Sequence, residues 1–190
     1  MYVHNFNPVL VNIGFLEIKW YSLAYILGIV IGWIYAIKII SITRANKYDF
    51  EQIKKNHFDD LIIYLVLGMV LGGRLGYIFF YNFAYYSQNY LEIFKIWQGG
   101  MSFHGGLLGV IVAIIIFSYN TNTNFFKYTD IVSCVAPIGI FFGRIANFIN
   151  GELYGKISSY PWSIVFPNVD NEARHPSQIY EALLEGIILF

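Results

Sequence analysis

The sequence predicts an all-α polytopic membrane protein with four full transmembrane helices, the start of a fifth and long outward-facing loops. Only 13% of the 190 residues are charged, whereas an average soluble domain is about 25% charged. Hydrophobic residues make up 57% of the chain and aromatic residues 19%. Four apolar stretches reach the length of about 20 residues that a helix needs to cross a bilayer. This composition excludes a disordered chain, a disulfide-stapled secreted module and an ordinary cytosolic enzyme.

The predicted spans follow one another along the chain, and we expect a single transmembrane domain over residues 1–190. The full spans lie at about residues 20–42, 61–81, 101–119 and 128–149, and a partial span occupies residues 177–190. Lys38 lies near enough to the end of the first span for its ammonium group to reach the interface.

Basic residues are densest between the first two spans, at Arg44, Lys47, Lys54 and Lys55. The positive-inside rule places this loop in the cytoplasm and the N-terminus outside. The loops over residues 83–100 and 151–176 then face out. Both are rich in aromatic residues, which favour the headgroup layer. We expect residues 91–97 to form a short interfacial helix.

Arg74 and Arg144 lie within predicted spans, where an unpaired charge costs about 3 kcal/mol or more. Each arginine either fixes packing, through a carboxylate or helix carbonyls, or binds a ligand; for Arg74 the two interpretations weigh equally. Around Arg144 the polar residues Asn147, Asn150 and Glu152 favour binding. A guanidinium offers a planar fork of donors that suits phosphate. We therefore expect a phospholipid headgroup at Arg144.

Glycines surround His104 at the start of the third span, at positions 99, 100, 105, 106 and 109. Tight helix packing explains the glycines but not the histidine. A lone histidine is more often a hydrogen-bonded structural residue than a base, yet the predicted place of His104 at the outer mouth favours a chemical role. The four histidines are far apart in sequence and none has zinc-ligand spacing. We expect neither a metal ion nor a cofactor.

A polar cluster, Arg174-His175-Pro176-Ser177-Gln178, precedes the last apolar stretch and resembles a helix entry. The last residue of this cluster, Gln178, shares one helical face with Glu181 and Glu185. Two carboxylates facing lipid would be costly, so this face should turn inward or meet a cavity.

Several motifs, taken in order along essentially the whole chain, resemble the bacterial prolipoprotein diacylglyceryl transferase family. Motifs in the right order are far more specific together than any one of them. They are Trp20-Tyr21, Leu71-Gly72-Gly73-Arg74-Leu75-Gly76-Tyr77, Gly99-Gly100-Met101-Ser102-Phe103-His104-Gly105-Gly106, Gly143-Arg144, Asn147-Phe148-Ile149-Asn150-Gly151-Glu152-Leu153-Tyr154-Gly155 and Arg174-His175-Pro176-Ser177-Gln178.

The resemblance implies a multi-pass enzyme of the bacterial inner membrane that performs the first step of lipoprotein maturation. Such an enzyme moves the diacylglyceryl group of phosphatidylglycerol to the lipobox cysteine of a prolipoprotein signal peptide. A thioether forms and glycerol 1-phosphate leaves. The implied partners are this lipid, the signal peptide and membrane lipids, with no nucleic acid.

The resemblance also assigns roles to residues. It matches Arg144 to the family's phospholipid-binding arginine, and it matches Tyr21, His104, Asn147, Glu152 and Gly155 to other positions that the family needs. We therefore expect catalytic roles for His104, Tyr21 and Glu152. Substrate-binding roles are expected for Arg144, Asn147, Gly155 and Arg74.

The sequence leaves alternatives open. The family pattern continues past Phe190 with further helices, among them one that carries another essential arginine. The chain is therefore either an active transferase or a truncated, catalytically inactive remnant or membrane-embedded lipid-binding scaffold. A small transporter is disfavoured, because many transporter folds carry internal repeats and this sequence shows none.

Overall fold

The computed structural model describes residues 2–13, 16–45 and 55–190. Lys47 and Lys54 of the basic loop lie outside the described residues, as do the side chains of Arg44 and Lys55. The predicted cytoplasmic side of this loop stays a prediction.

Four long helices dominate the described part of the chain. They are α1 (Trp20–Ala45), α2 (Lys55–Tyr81), α4 (Phe103–Thr121) and α5 (Phe125–Asn150). Each contains a stretch long and apolar enough to cross a membrane. The predicted class, an all-α polytopic membrane protein, is confirmed. Helices α2 and α5 begin several residues before the expected spans, because charged residues that precede the apolar stretches, such as Asp60 and Lys127, also belong to the helices.

The described contacts divide the chain into two compact units. The first comprises Met1–Ala36 and Val132–Phe190, and the second comprises Ile37–Ile131. The expectation of a single transmembrane domain stays a prediction.

In the second unit, α2 and α4 pack through glycines. Gly68, Gly72 and Gly76 recur every fourth residue in α2 and face Gly105 and Gly109 of α4. A methyl group added at Gly76 would lie 2.7 Å from the Cα atom of Gly105, and one at Gly109 would overlap the carbonyl of Gly68. Backbone therefore packs directly against backbone, as in small-residue helix interfaces of membranes.

The loop between α2 and α4 is ordered but not one regular helix. It contains α3 (Phe83–Gln88) and two 3-10 turns, Tyr90–Phe94 and Ile96–Gln98. The expected interfacial helix over residues 91–97 is thus replaced by two short turns, which break at Lys95.

The first unit contains short strands that the sequence did not predict. Strands β2 (Val9–Ile13) and β3 (Leu16–Lys19) form an antiparallel hairpin that leads into α1. Strand β1 (Tyr2–Val3) pairs in parallel with β4 (Ile164–Val165), which pairs antiparallel with β5 (Ala173–Arg174).

The side chain of His4 joins this sheet to the end of α5. It is buried, and its Nε2 atom donates to the carbonyl oxygen of Phe148 at 2.7 Å. Its ring also packs against Phe6 and Phe166. The N-terminal strands are therefore fixed beside the C-terminal end of α5.

The described chain finishes in a helix that begins as α6 (Ser177–Glu181) and continues as a π-helical segment, Ala182–Ile188. Gly186 of this segment packs against α5, where an added methyl group would lie 2.7 Å from the Cβ atom of Phe141.

Candidate active site

Arg144 lies in the C-terminal part of α5 and forms ion pairs with two carboxylates. Its Nε atom is 2.8 Å from Oε2 of Glu181, and its Nη2 atom is 3.5 Å from Oε2 of Glu185. The carboxylates expected to avoid lipid are thus paired with Arg144. All three side chains remain partly exposed. Arg144 makes no hydrogen bond to a described residue beyond these ion pairs, so its remaining N–H donors are available to an anion.

Three expected site residues meet one helical turn further along α5. Asn147 is only 6% exposed, and its Nδ2 atom donates to Oη of Tyr21 at 3.1 Å and to Oε2 of Glu152 at 3.4 Å. Asn150 donates to Oε1 of Glu152 at 3.3 Å. Because Asn147 and Arg144 are three residues apart on one helix, they lie on the same face.

The turn that presents Glu152 follows directly from the end of α5. Gly151 has a φ of 68°, a value that favours glycine. The backbone N–H of Glu152 donates to the carbonyl of Asn147 at 2.9 Å. Beyond the end of α5 the chain therefore turns back, so that the carboxylate of Glu152 lies against the last turn of the helix.

Residues of α6 hold this turn from the other side. Gln178 is fully buried, and its Nε2 atom donates to the carbonyl of Glu152 at 2.5 Å. Ser177 donates its hydroxyl hydrogen to the carbonyl of Leu153 at 2.7 Å. Leu153 itself has a φ of 53°, a strained value for a residue other than glycine. The turn therefore depends on Ser177 and Gln178 for its shape.

Gly155 serves a close backbone contact. Its N–H donates to the carbonyl of His175 at 2.9 Å. A methyl group at this position would lie 2.9 Å from the Cβ atom of the same histidine. Steric fit against His175 explains the glycine, and its expected role in substrate binding stays a prediction.

An ion pair fixes the loop that carries β5. The side chain of Arg174 donates to both carboxylate oxygens of Asp170, from Nε at 3.3 Å and from Nη2 at 2.5 Å. The hydrogen bond from Arg174 is the main reason that the pKa of Asp170 is lowered from its ordinary value. The same hydrogen bond raises the pKa of Arg174. The guanidinium also lies 5.1 Å from the centre of the Tyr154 ring.

A hydrogen-bonded series of side chains reaches His175. The indole Nε1 of Trp162 donates to Oη of Tyr180 at 2.7 Å, and that hydroxyl lies 3.0 Å from Nδ1 of His175. An indole can only donate, so the hydroxyl oxygen of Tyr180 accepts from Trp162. Tyr180 therefore links the indole of Trp162 to the ring of His175.

Arg74 belongs to the second unit and is 4% exposed. Among the described residues, its hydrogen-bond acceptors are all backbone carbonyls in the loop between α3 and α4. They are those of Ile93 (2.9 Å), Gly99 (2.5 Å), Gly100 (3.2 Å), Glu92 (2.6 Å) and Lys95 (3.3 Å). A guanidinium has five N–H donors, so none is left over for a phosphate. The geometry favours the packing interpretation, and the substrate-binding role of Arg74 stays a prediction.

His104 also belongs to the second unit and lies exposed on the first turn of α4. Ser102 caps this helix, since its Oγ atom accepts a hydrogen bond from the N–H of Gly105 at 3.2 Å. The N–H of Ser102 in turn donates to the carbonyl of Gly73 at 2.9 Å. His104 forms no hydrogen bond with a described residue, which leaves both ring nitrogens open to a ligand.

Comparison with known proteins bears directly on this arrangement. The family model described as prolipoprotein diacylglyceryl transferase matches residues 8–190. The chain belongs to this family.

Relatives from three rickettsial species carry the name phosphatidylglycerol–prolipoprotein diacylglyceryl transferase. The protein of Rickettsia canadensis (strain McKiel) is 52% identical over 186 residues, which are 98% of this chain and 70% of the relative. That of Rickettsia typhi (strain ATCC VR-144 / Wilmington) is 50% identical over 190 residues, 100% of this chain and 71% of the relative. That of Rickettsia bellii (strain OSU 85-389) is 50% identical over 186 residues, which are 98% of this chain and 68% of the relative.

Membership confirms the resemblance expected from the sequence and makes the chain a multi-pass membrane protein of a transferase family. Three residues with clear roles in the described site were not singled out from the sequence. They are His4, Trp162 and Tyr180. Each contacts a residue distant in sequence, which no local pattern predicts. Gln178 was singled out by its helical face and its place in a family motif, but its hydrogen bond to the carbonyl of Glu152 was not expected.

Proposed function

We propose that the chain transfers the diacylglyceryl group of phosphatidylglycerol to the thiol of a lipobox cysteine in a prolipoprotein signal peptide. Within this family, one structural observation supports the proposal. Arg144, with donors still available, lies one helical turn from the hydrogen-bonded group of Tyr21, Asn147 and Glu152. A phosphate anchor and a polar group that can orient a headgroup thus share one face of α5.

Arg144 would hold the phosphate of the lipid. A phosphate offers oxygens that match the planar fork of a guanidinium, and it would replace Glu181 and Glu185 as the counter-ion. During transfer the sulfur–carbon bond forms on the glyceryl group while the carbon–oxygen bond to phosphate breaks. The electron pair stays on the leaving glycerol 1-phosphate, whose charge therefore grows. Arg144 would stabilise this charge more strongly in the transition state than in the bound lipid.

His104 would act as the general base. A cysteine thiol has a pKa of about 8.5 and must lose its proton before it can attack carbon. A neutral imidazole accepts such a proton near pH 7. The exposed ring of His104, which has no hydrogen bond to a described residue, supports this role.

Tyr21 and Glu152 would contact the headgroup, with Asn147 between them as a bridge. The carboxylate of Glu152 is held by two amides, those of Asn147 and Asn150, so it can accept from a glycerol hydroxyl without moving. Gly155 would keep the following loop close enough to His175 to preserve this arrangement.

We place the chain in the bacterial inner membrane with its N-terminus in the periplasm. The basic residues between α1 and α2 support this orientation. Transfer would then take place at the outer leaflet.

A labelling experiment tests the function. Membranes containing this chain are incubated with phosphatidylglycerol labelled in its acyl chains and with a lipobox peptide, and the peptide is analysed by mass spectrometry. We expect a mass gain of one diacylglyceryl group on the cysteine peptide and none on a matched peptide with serine in its place. Folded chain that binds the lipid without modifying the peptide would contradict the proposal and favour a lipid-binding scaffold.

A further inference from the structure

The loop from Glu92 to Gly100, here called the Arg74 loop, has backbone carbonyls that no regular helix satisfies. Two 3-10 turns make up most of it, and it ends at Gly99 and Gly100, whose φ values are 84° and 80°. Carbonyls without partners are costly near a bilayer, where water is scarce. Arg74 donates to five carbonyls of the loop from one buried guanidinium. The carbonyls of Ile93, Gly99 and Gly100 accept from no described backbone N–H, whereas those of Glu92 and Lys95 also accept from backbone N–H groups within the loop.

Side-chain burial does little to hold the Arg74 loop. Phe94 is 75% exposed and Trp97 is 76% exposed. The ion pair between Glu92 and Lys95 lies within the loop itself. The conformation of the loop therefore depends on Arg74 more than on its own packing.

The Arg74 loop leads directly into the turn that carries His104. Arg74 binds the carbonyls of Gly99 and Gly100, while its neighbour Gly73 accepts from the N–H of Ser102. Ser102 then caps α4 through the N–H of Gly105. One short stretch of α2 thus fixes the entry to α4 on both sides of Met101.

From these contacts we propose that Arg74 is a positioning residue that fixes the Arg74 loop and thereby places His104. The assignment rests on the proposed function only in taking His104 as the base. It gives Arg74 a part in the reaction without contact to the lipid. Lysine could not replace it, because an ammonium group has three donors on one atom, whereas these carbonyls are reached by three nitrogens of a rigid plane.

Amide hydrogen exchange tests whether Arg74 fixes the entry to α4, and this measurement does not require an active enzyme. We expect the amides of Ser102, Gly105 and Gly106 to exchange about ten times faster or more in Arg74→Lys than in the unchanged protein. Amides in the middle of α4, such as those of Ala113 and Phe117, should be unaffected, because the glycine contacts between α2 and α4 remain. Unchanged exchange at Ser102–Gly106 would overturn the proposal, and so would faster exchange along the whole helix.

Kinetics test the link to His104. We expect Arg74→Lys to lower kcat about 10- to 100-fold, the range that a misplaced catalytic group produces, with KM for phosphatidylglycerol changed less than about threefold. The double variant Arg74→Lys/His104→Gln should be no slower than His104→Gln alone. Independent, additive losses or a main effect on KM would overturn the proposal. If the unchanged protein transfers nothing, the proposed function fails, while the exchange experiment still decides whether Arg74 holds the turn.

Substitutions at Gly99 and Gly100 test the same contacts while Arg74 itself is kept. Gly99→Ala and Gly100→Ala place a methyl group on backbones of nearly equal φ. The methyl at Gly100 would lie 2.9 Å from Nη1 of Arg74 and 2.7 Å from Cε1 of Tyr77, whereas the space around Gly99 is open. We expect Gly100→Ala to reproduce the exchange pattern of Arg74→Lys and Gly99→Ala to change it less. Equal effects would point to backbone strain and count against the proposal.

Discussion

The amide of Asn147 donates a hydrogen bond to the hydroxyl of Tyr21 at 3.1 Å, although the two residues are 126 positions apart. The same nitrogen donates to Glu152 at 3.4 Å. An amide nitrogen has two hydrogens, and these two contacts use both. Asn147 is therefore the bridge on which the polar group at the end of α5 depends.

Asn147→Asp is expected to break this bridge while keeping the shape of the side chain. The new carboxylate would face the carboxylate of Glu152 and would have no hydrogen to give to either partner. We expect destabilisation of about 1–3 kcal/mol, since a buried group loses its partners, and a fall in transfer rate of about 100-fold. Thermal unfolding in detergent and the peptide-labelling rate would measure the two effects.

Asn150→Asp is the matched control for this change. Asn150 also donates to Glu152, at 3.3 Å, but it has no contact with Tyr21. Its substitution removes one hydrogen bond to the same carboxylate and should cost distinctly less stability and rate. Equal losses from the two variants would show that Tyr21 does not depend on Asn147.

Substitutions at Arg144 and at its carboxylate partners should separate the contribution of the ion pairs from that of lipid binding. Arg144→Lys loses the planar fork, so KM for phosphatidylglycerol should rise about 10-fold or more. Glu181→Gln removes the nearer counter-ion, at 2.8 Å, and should lower that KM a few-fold because the phosphate no longer competes with a carboxylate. Since the pair is partly exposed, its loss should cost at most about 1 kcal/mol of stability.

Glu185→Gln is the comparison for Glu181→Gln, because its carboxylate lies further away, at 3.5 Å from Nη2. Its effect on KM should have the same sign and a smaller size. A rise in KM in either variant would mean that the carboxylates help to bind the lipid instead of competing with it.

The low content of charged residues and the long apolar stretches were enough to predict the fold class. A bilayer imposes a minimum length on a spanning helix and disfavours unpaired charged side chains. The role of Arg74 could not be predicted in this way. Its described hydrogen-bond acceptors are all backbone carbonyls, which every residue possesses, so no side-chain pattern could distinguish packing from binding. Three of the five strands were missed for a related reason. Strands β1, β4 and β5 have two residues each and exist through pairing with distant segments.

Acid should weaken the loop held by Asp170 and Arg174. The pKa of Asp170 is lowered from its ordinary value of 3.8, mainly by the hydrogen bond from Arg174. A carboxyl whose pKa is lower in the folded state adds stability above its unfolded pKa, and this contribution is lost as pH falls through the folded value. The Tm of the unchanged protein should exceed that of Asp170→Asn at pH 7, and the difference should shrink below about pH 4.

Glu172→Gln provides the control for Asp170→Asn. It removes one negative charge from the same loop but none of the described hydrogen bonds between Asp170 and Arg174. Its Tm should differ little from that of the unchanged protein at any pH between 7 and 4. A difference between the Asp170→Asn and unchanged proteins that stays constant below pH 4 would contradict the assignment.

The contact between α2 and α4 should be sensitive to a single methyl group. In Gly109→Ala the methyl would overlap the carbonyl of Gly68 and approach the Cα atom of Gly72 to 3.0 Å. The helices must then separate, and we expect destabilisation of about 1–3 kcal/mol, as for other overpacked sites. Gly139→Ala, inside α5, adds a methyl with nothing within 4 Å and should be neutral or stabilising by up to about 1 kcal/mol, because alanine favours helices. Thermal unfolding of both variants in detergent compares them directly, and equal stability of the two would mean that α2 and α4 do not meet at these glycines.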